Sequence, residues 1–465
     1  MDTGALHELI LPVLLIGTFM STLDFFIVNV AIPSMQHDLG ASPAAIEWVV
    51  AGYALAFGCG LVTGGRLGDH YGRRRVLFLG LLLFTITSTL CALAPNPAVL
   101  VLSRILQGAS AALLSPQVLA IVSTIFAGEA RARAFQAYGL TLGIAAVFGQ
   151  LIGGLLIQAN ILNLGWRTCF LINAPIGFAA MALVPKVIPQ LRPPTHSRLD
   201  VVGVGILSVA LLALLWPLIQ GQQRGWPIWA LRSFLASPLL LIVFAAWERA
   251  LNKRGGAPMV NPALFEERAF TAGLLTQLVF WMGIASFFLI FALYMQQGRG
   301  LSALEAGATF MAIGGGYLAT SLIATRLARR LGRQVVSTGA LLMAAGLGIL
   351  SLTVLPGRVP LGWLVPGLIF EGAGMGIALA PLVSIILVRV MPEHAGAASG
   401  VLTTTQQIGN ALGVAVIGAV FFRALDPTRA AGYDLAFSRS VVALLVISLT
   451  VVGFVQLLPR RHGEL

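Results

Sequence analysis

Ser21 to Pro33 reads STLDFFIVNVAIP, with an acid, Asp24, set inside an apolar run. The run extends from about Leu9 to Ile32, so Asp24 lies some fifteen residues from one end and eight from the other. At about 1.5 Å of rise per residue, a helix of that length crosses the hydrocarbon of a bilayer and holds the acid inside it. A carboxylate at such a depth costs roughly 3 kcal/mol on insertion scales. It must therefore face a protein interior or a water-filled cavity, where it can bind a proton. The stretch predicts a membrane span and, within it, a site around which a proton-driven carrier can be organised.

The rest of the chain agrees with a membrane setting. Of 465 residues, 58% are hydrophobic and only 10% charged, and the mean hydropathy is +0.91. These values lie far outside those of soluble domains and indicate a polytopic membrane protein. Cys59, Cys91 and Cys169 fall in or beside apolar segments and form no CxxC pair, so they read as small core residues without disulfide or metal. The opening residues, MDTGALHE, carry no basic n-region, and the first segment is expected to remain as a helix.

Fourteen candidate spans follow, the first at about 9–32 and the last at about 438–458. With the N-terminus in the cytoplasm, twenty basic residues fall on the inner side and eight on the outer, and Arg104 alone lies within a span. The positive-inside rule then predicts an even number of helices and two cytoplasmic termini. The net charge of +12 is explained by these loops, without a nucleic-acid partner. No hydrophilic connection is long enough to fold alone. The seventh and eighth spans, about 200–220 and 230–247, lie between the two longest connections and read as a linking pair. The expected division is a six-helix bundle over 1–190, the linking helices with their loops over 191–268, and a second six-helix bundle over 269–465.

An internal echo supports two parallel halves. GRLGDHYGR at 65–73 returns in degraded form as TRLARRLGR at 325–333, an offset of 260. QGASAA at 107–112 matches EGAGMG at 371–376, an offset of 264. Two echoes at nearly one offset indicate a duplicated unit, a repeat type found among transporters.

These residues also carry a resemblance. GRLGDHYGRRRVL at 65–77 resembles the loop between helices 2 and 3 of the major facilitator superfamily. LDFFIVNVAIP (23–33), SRILQGASAA (103–112), GLTLGIAAVFGQLIGG (139–154) and WRTCFLINAPIG (166–177) are similar to the fourteen-helix drug:proton antiporters of that superfamily. YMQQGRGLSALEAG (294–307) and GAASGVLTTTQQIGNALG (396–413) resemble the second half of the same family. The resemblance covers nearly the whole chain. It implies an all-α major-facilitator fold and proton-coupled export of drugs, hence antibiotic resistance, by alternating access around a cavity between two bundles.

Candidate site residues follow from depth and charge, read beside the resemblance. Arg104, about seven residues from the outer end of the fourth span, matches Asp24 in depth, and each charge lowers the cost of the other. Glu371 is the second acid within a span and stands at the repeat position of Gln107. Asp24, Arg104 and Glu371 are the expected proton-coupling residues, sharing one cavity with walls at Phe26, Asn29, Gln107, Trp281, Phe288 and Gln406. Gly65, Asp69, Gly72 and Arg73 are expected to form a cytoplasmic gate, with Asp69 pairing to Arg73 or to the second half. Gly139, Gly143, Gly149, Gly153 and Gly154 form small-residue pairs that admit a close helix neighbour. The resembled family ties that motif to antiport, but this chain has Gln150 where Pro is usual. Phe280, Trp281, Phe287, Phe288, Phe291 and Tyr294 form an aromatic set in the ninth span, most of it expected to face lipid.

Several chemistries are set aside. There is no GxxxxGK[ST] loop for nucleotide, and the six histidines lie outside the spans. No nucleophile and base pair appears within the spans, so an enzyme is not expected. The reading is a plasma-membrane exporter of the bacterial inner membrane that exchanges protons for small amphipathic or lipophilic compounds, with no cofactor. The expected partners are substrate, protons and the bilayer; a monomer is expected, and periplasmic adaptors stay open. Export of an endogenous metabolite or siderophore and a non-transporting membrane sensor are the alternatives.

Overall fold

Long apolar stretches punctuated by Ser, Asn, Asp, Pro and Gly become helices whose ends those residues set. The computed structural model describes residues 3–190, 200–221, 225–256, 258, 265, 267–354, 359–387, 395–426 and 432–458. The helices are α1 (Thr3–Leu39), α2 (Pro43–Tyr71), α3 (Arg73–Ala92), α4 (Pro97–Ile125), α5 (Gly128–Ala159), α6 (Thr168–Leu171) and α7 (Asn173–Val187). After them come α8 (Val201–Gln220), α9 (Ile228–Lys253), α10 (Arg268–Leu293), α11 (Ala303–Leu331), α12 (Gln334–Val354), α13 (Val365–Leu387), α14 (Ala395–Ala424) and α15 (Gly432–Val455). Among the described residues, fourteen spans are long and apolar enough to cross a membrane, the sixth being the broken segment Gly165–Val187.

Helix starts follow local chemistry. Ser42, Asn96 and Asp200 accept backbone N–H bonds from Ala45, Val99 and Gly203 at 3.2, 3.0 and 2.8 Å. Pro43 and Pro97 then occupy first helical positions, where a missing N–H loses nothing. Ser302 and Glu305 form a reciprocal capping box at the start of α11. The sequence echo is also a structural one: Gly72 separates α2 from α3 at φ 94°, and Gly332, 260 residues on, separates α11 from α12 at φ 56°. A left-handed backbone at each break favours the residue without a Cβ.

The two halves pack alike. Within the first, α2 and α3 lie against α4, α1 against α5, and α7 against α3 and α1. Within the second, α11 and α12 lie against α13, α10 against α14, and α15 against α12 and α10. Each pair maps onto its counterpart. The halves meet along two matching seams, α2 with α14 and α5 with α11, and along α1 with α10. Helices α8 and α9 pair with each other, and α8 rests on α2 and α14 across the first seam. Only 11% of the α9 span is buried, against 83% for α10, so α9 faces the bilayer. The joints expected at 190 and 268 fall in or beside stretches outside the described residues.

The seams depend on missing side chains. A Cβ added to Gly154 of α5 would lie 2.5 Å from Ala303 O and 2.7 Å from Leu304 Cα of α11. One on Gly143 would meet the Tyr317 ring at 2.0 Å, and one on Gly307 the carbonyl of Gln150 at 2.5 Å. Without a hydrophobic drive between helices in lipid, such close approach supplies the packing that holds two bundles together. The aromatic set of α10 is not the lipid face anticipated for it. Phe280, Trp281, Phe287, Phe288, Phe291 and Tyr294 are each at most 5% exposed, because α10 is wrapped by α1, α14 and α15.

Candidate functional site

At 3.6 residues per turn, α1 shows Ser21, Thr22, Phe25 and Phe26 towards the second half and turns Asp24 into the first. Asp24 and Arg104 are both 0% exposed, and Arg104 Nη1 donates to Asp24 Oδ2 at 2.5 Å. The other carboxylate oxygen accepts from Gln107 Nε2 at 2.9 Å and from Asn173 Nδ2 at 2.7 Å. Arg104 is held in turn by Gln107 Oε1 at 2.8 Å and by Val49 O at 3.0 Å. Its guanidinium carbon stands 4.3 Å from the centre of the Tyr53 ring, whose hydroxyl donates to Ser21 O. Asn173 Nδ2 also donates to Ser88 Oγ, and that hydroxyl to Phe170 O. Thus α1, α3, α4 and α7 meet on one polar network, with α2 closing it. The further hydrogen bonds offset part of the cost of burying the charge pair, while Arg104 Nη2 and Asn173 Oδ1 have no partner among the described residues.

A separate, narrow cavity lies between the halves. Phe25, Phe26 and Phe57 line it from the first half, and Trp281, Met375, Gln406, Gln407 and Asn410 from the second. Phe26 touches Phe288 across the divide, ring centres 5.0 Å apart. Phe26, Trp281 and Gln406 are therefore walls of this cavity. Asn29, Gln107 and Phe288 are not among its lining residues: Gln107 belongs to the Asp24 network, Asn29 is 1% exposed and Phe288 packs on Phe310.

The structure does not bring Asp24, Arg104 and Glu371 into one cavity. The first two turn into the first half. Glu371 is 1% exposed on α13, which packs on α11 and α12, and its Oε2 has no hydrogen-bond partner among the described residues. One face of a helix cannot serve both its own bundle and the space between bundles, and here the charged groups take the bundle.

At the arginine-rich end, Arg73 donates to Asp69 Oδ1 at 3.1 Å and also to Ala120 O and Thr124 Oγ1 at 2.8 and 2.7 Å. This pair ties the α2–α3 turn to the end of α4, within one half. Gly65 sits against Pro116, and Gly72 supplies the turn. At the opposite end the halves are joined directly. The last turn of α10 widens into a π-helix, Tyr294–Gly298. From it, Gln296 Nε2 donates to Val30 O at 2.9 Å and Gln297 Nε2 to Gln36 Oε1 at 2.7 Å.

Four of the five α5 glycines lie at close helix contacts, Gly149 and Gly153 on Leu23 and Ile27 of α1 and Gly143 and Gly154 on α11, whereas a Cβ on Gly139 would meet nothing within 4 Å. The Gly139 carbonyl accepts from the Tyr317 hydroxyl at 3.2 Å. Gln150, fully buried, donates to Phe26 O at 2.7 Å and so ties α5 to α1 beside the cavity. Sequence reasoning passed over Asn173 and Tyr53 as network members, and read Gln150 only as a departure from Pro. The signal for Asn173 was present, an amide within an apolar span inside the quoted stretch 166–177; Tyr53 carried none.

The model of the Major Facilitator Superfamily matches residues 14–414. The chain belongs to that superfamily. Within it, the chain is 39% identical to a probable actinorhodin transporter of Streptomyces coelicolor, over 92% of this chain and 75% of that protein. It is 36% identical to the puromycin resistance protein pur8 of Streptomyces alboniger, over 88% and 81%. It is 30% identical to the multidrug resistance protein Stp of Mycobacterium tuberculosis, over 97% and 83%. Among solved major-facilitator structures, a peptide transporter, POT, in complex with sulfate superposes with a TM-score of 0.66 at 18% identity, over 97% of this chain and 96% of that one. The protein is thus a multi-pass membrane transporter and not an enzyme.

Proposed function

We propose that the protein is a proton-coupled antiporter that exports small amphipathic or lipophilic compounds, antibiotics among them, by alternating access. The observation that carries this reading is the Asp24–Arg104 pair, fully buried at hydrocarbon depth and tied through α1 to the helix that closes the opposite end. Protonation of Asp24 removes the charge opposite Arg104 and turns one carboxylate oxygen into an O–H donor, which weakens the Arg104–Asp24 Oδ2 bond and loosens α1 from α4. The same helix meets α10 through Val30 and Gln36, so a proton taken up in the first half bears on the seam between halves. One proton crossing 100 mV releases roughly 2.3 kcal/mol, comparable with one or two such hydrogen bonds.

Orientation with both termini in the cytoplasm of a bacterial cell follows from the excess of arginine at one end. Relatives named for actinorhodin transport and cephamycin export favour natural products as cargo, so export of an endogenous metabolite is the second reading. The test is reconstitution in liposomes loaded with a pH-sensitive dye, with a panel of antibiotics that includes puromycin. Wild type should move protons when substrate is added, and Asp24→Asn should not. Equal proton movement in both would transfer the proton site to Glu371, and none in either would remove antiport.

A further inference from the structure

Resting on the transporter reading of the central cavity, the inference concerns what that cavity accepts. Its described walls carry aromatic rings, aliphatic groups, hydroxyls and carboxamides, and no ionisable side chain. The ionisable groups buried in the spans nearest the cavity are turned elsewhere: Asp24 and Arg104 neutralise each other inside the first half, and Glu371 and Glu47 lie outside the lining. A cation placed between Phe26 and Trp281 would give up its hydration with no counter-charge on the wall. Attraction from ring faces returns only part of that loss.

A second observation points to a hydrogen-bond donor on the ligand. Asn410, 2% exposed, lines the cavity from α14 and donates through Nδ2 to Gln407 Oε1 at 3.1 Å. Its Oδ1 is buried and has no donor among the described residues. A buried acceptor without a partner is a standing penalty that an incoming O–H or N–H removes. Gln406, on the same wall and partly exposed, makes no side-chain hydrogen bond among the described residues and can turn to a ligand.

We propose that this cavity selects uncharged, flat aromatic compounds bearing a hydroxyl or N–H donor, taken by Asn410 Oδ1, in preference to cations of the same size. Ring faces from both halves grip the plane, and the carboxamides of α14 read its edge.

The test is equilibrium dialysis of three three-ring probes against the full-length protein in phospholipid nanodiscs, with empty nanodiscs as the partition control. The probes are 9-phenanthrol, neutral with one donor; phenanthrene, neutral without one; and N-methylphenanthridinium, a fixed cation. The expected result is 9-phenanthrol binding at least tenfold more tightly than either of the others. Asn410→Leu should abolish its advantage over phenanthrene, and Gln406→Glu should raise affinity for the cation at least tenfold. Equal or tighter binding of the cation by wild type would overturn the proposal, as would no binding of any probe. An unchanged hydroxyl preference in Asn410→Leu would also overturn it. Should Asn410→Leu fail to fold, Gln406→Glu and the wild-type ranking still decide. The measurement involves no gradient, so a failure of antiport in liposomes leaves this selectivity standing, and a failure here leaves proton coupling untouched.

Discussion

Charge removal at the Asp24–Arg104 pair should be unequal in its effect. In Asp24→Asn, one carboxylate oxygen becomes an NH2 group, yet Oδ1 and Oδ2 both accept from donors: Gln107 and Asn173 on one, Arg104 on the other. At least one bond therefore becomes donor against donor. Arg104, which has no neutral form available, is left charged at 0% exposure. Breaking a buried pair from one side costs about 3–5 kcal/mol, and that is the expected loss for this variant. Arg104→Met keeps most of the side-chain volume and leaves a carboxyl with two amide donors, a group that can shed its charge by binding a proton. Its expected loss is about 1–3 kcal/mol, in the range of a buried hydrogen bond left unmade. The double variant removes both charges, and should be less destabilised than the sum of the singles by roughly 2 kcal/mol. Reversible unfolding of the purified protein in SDS, followed by tryptophan fluorescence, gives the four values. Additivity within about 0.5 kcal/mol, or a greater loss for Arg104→Met than for Asp24→Asn, would refute the reasoning.

Two further outcomes follow from the glycines. Gly154→Val would press Cβ against Ala303 O and Leu304 Cα, backbone atoms that cannot yield, so α5 and α11 must separate by about 1 Å or more to reach ordinary contact. Spin labels on exposed positions of α5 and α11 beside this seam should then show a longer mean distance in pulsed electron resonance; an unchanged distribution would show that the seam absorbs the methyls. Gly72→Ala places a Cβ on a backbone at φ 94° and should lower stability by about 1–3 kcal/mol. An unshifted thermal midpoint would mean that the turn relaxes to another conformation.

The fold was legible because its causes are local. Membrane spans need only length and apolar composition, and all fourteen spans appear in the structure, as does the break at Gly72 with its echo at Gly332. The pairing of Asp24 with Arg104 was also within reach, since two isolated opposite charges at one depth in hydrocarbon have few other solutions. Their direction was not. A shift of one residue on α1 moves a side chain by about 100°, and that decides whether Asp24 faces the space between halves or the interior of its own. Asn29 shares nearly the same face as Phe26 but lies about 4.5 Å further along α1, and it is not among the cavity's lining residues. For α10 the error ran the other way: aromatic residues suit lipid and protein equally, and only the packing of α1, α14 and α15 around them decides.

What the sequence by itself determined is the class of the molecule: fourteen spans, two related halves, and a pair of opposite charges that hydrocarbon would force together. Tertiary structure alone decided which groups share a space. It placed Asn173 and Tyr53 on the charge network, turned Gln150 into a tie between α5 and α1, and left the cavity walls without a charge. The physical reason is that burial in a membrane is set by composition along one helix, whereas the partner of a buried polar group depends on how several helices are rotated about their axes. That rotation is fixed by side-chain packing between residues far apart in the chain, and it leaves no periodic signature in any one of them.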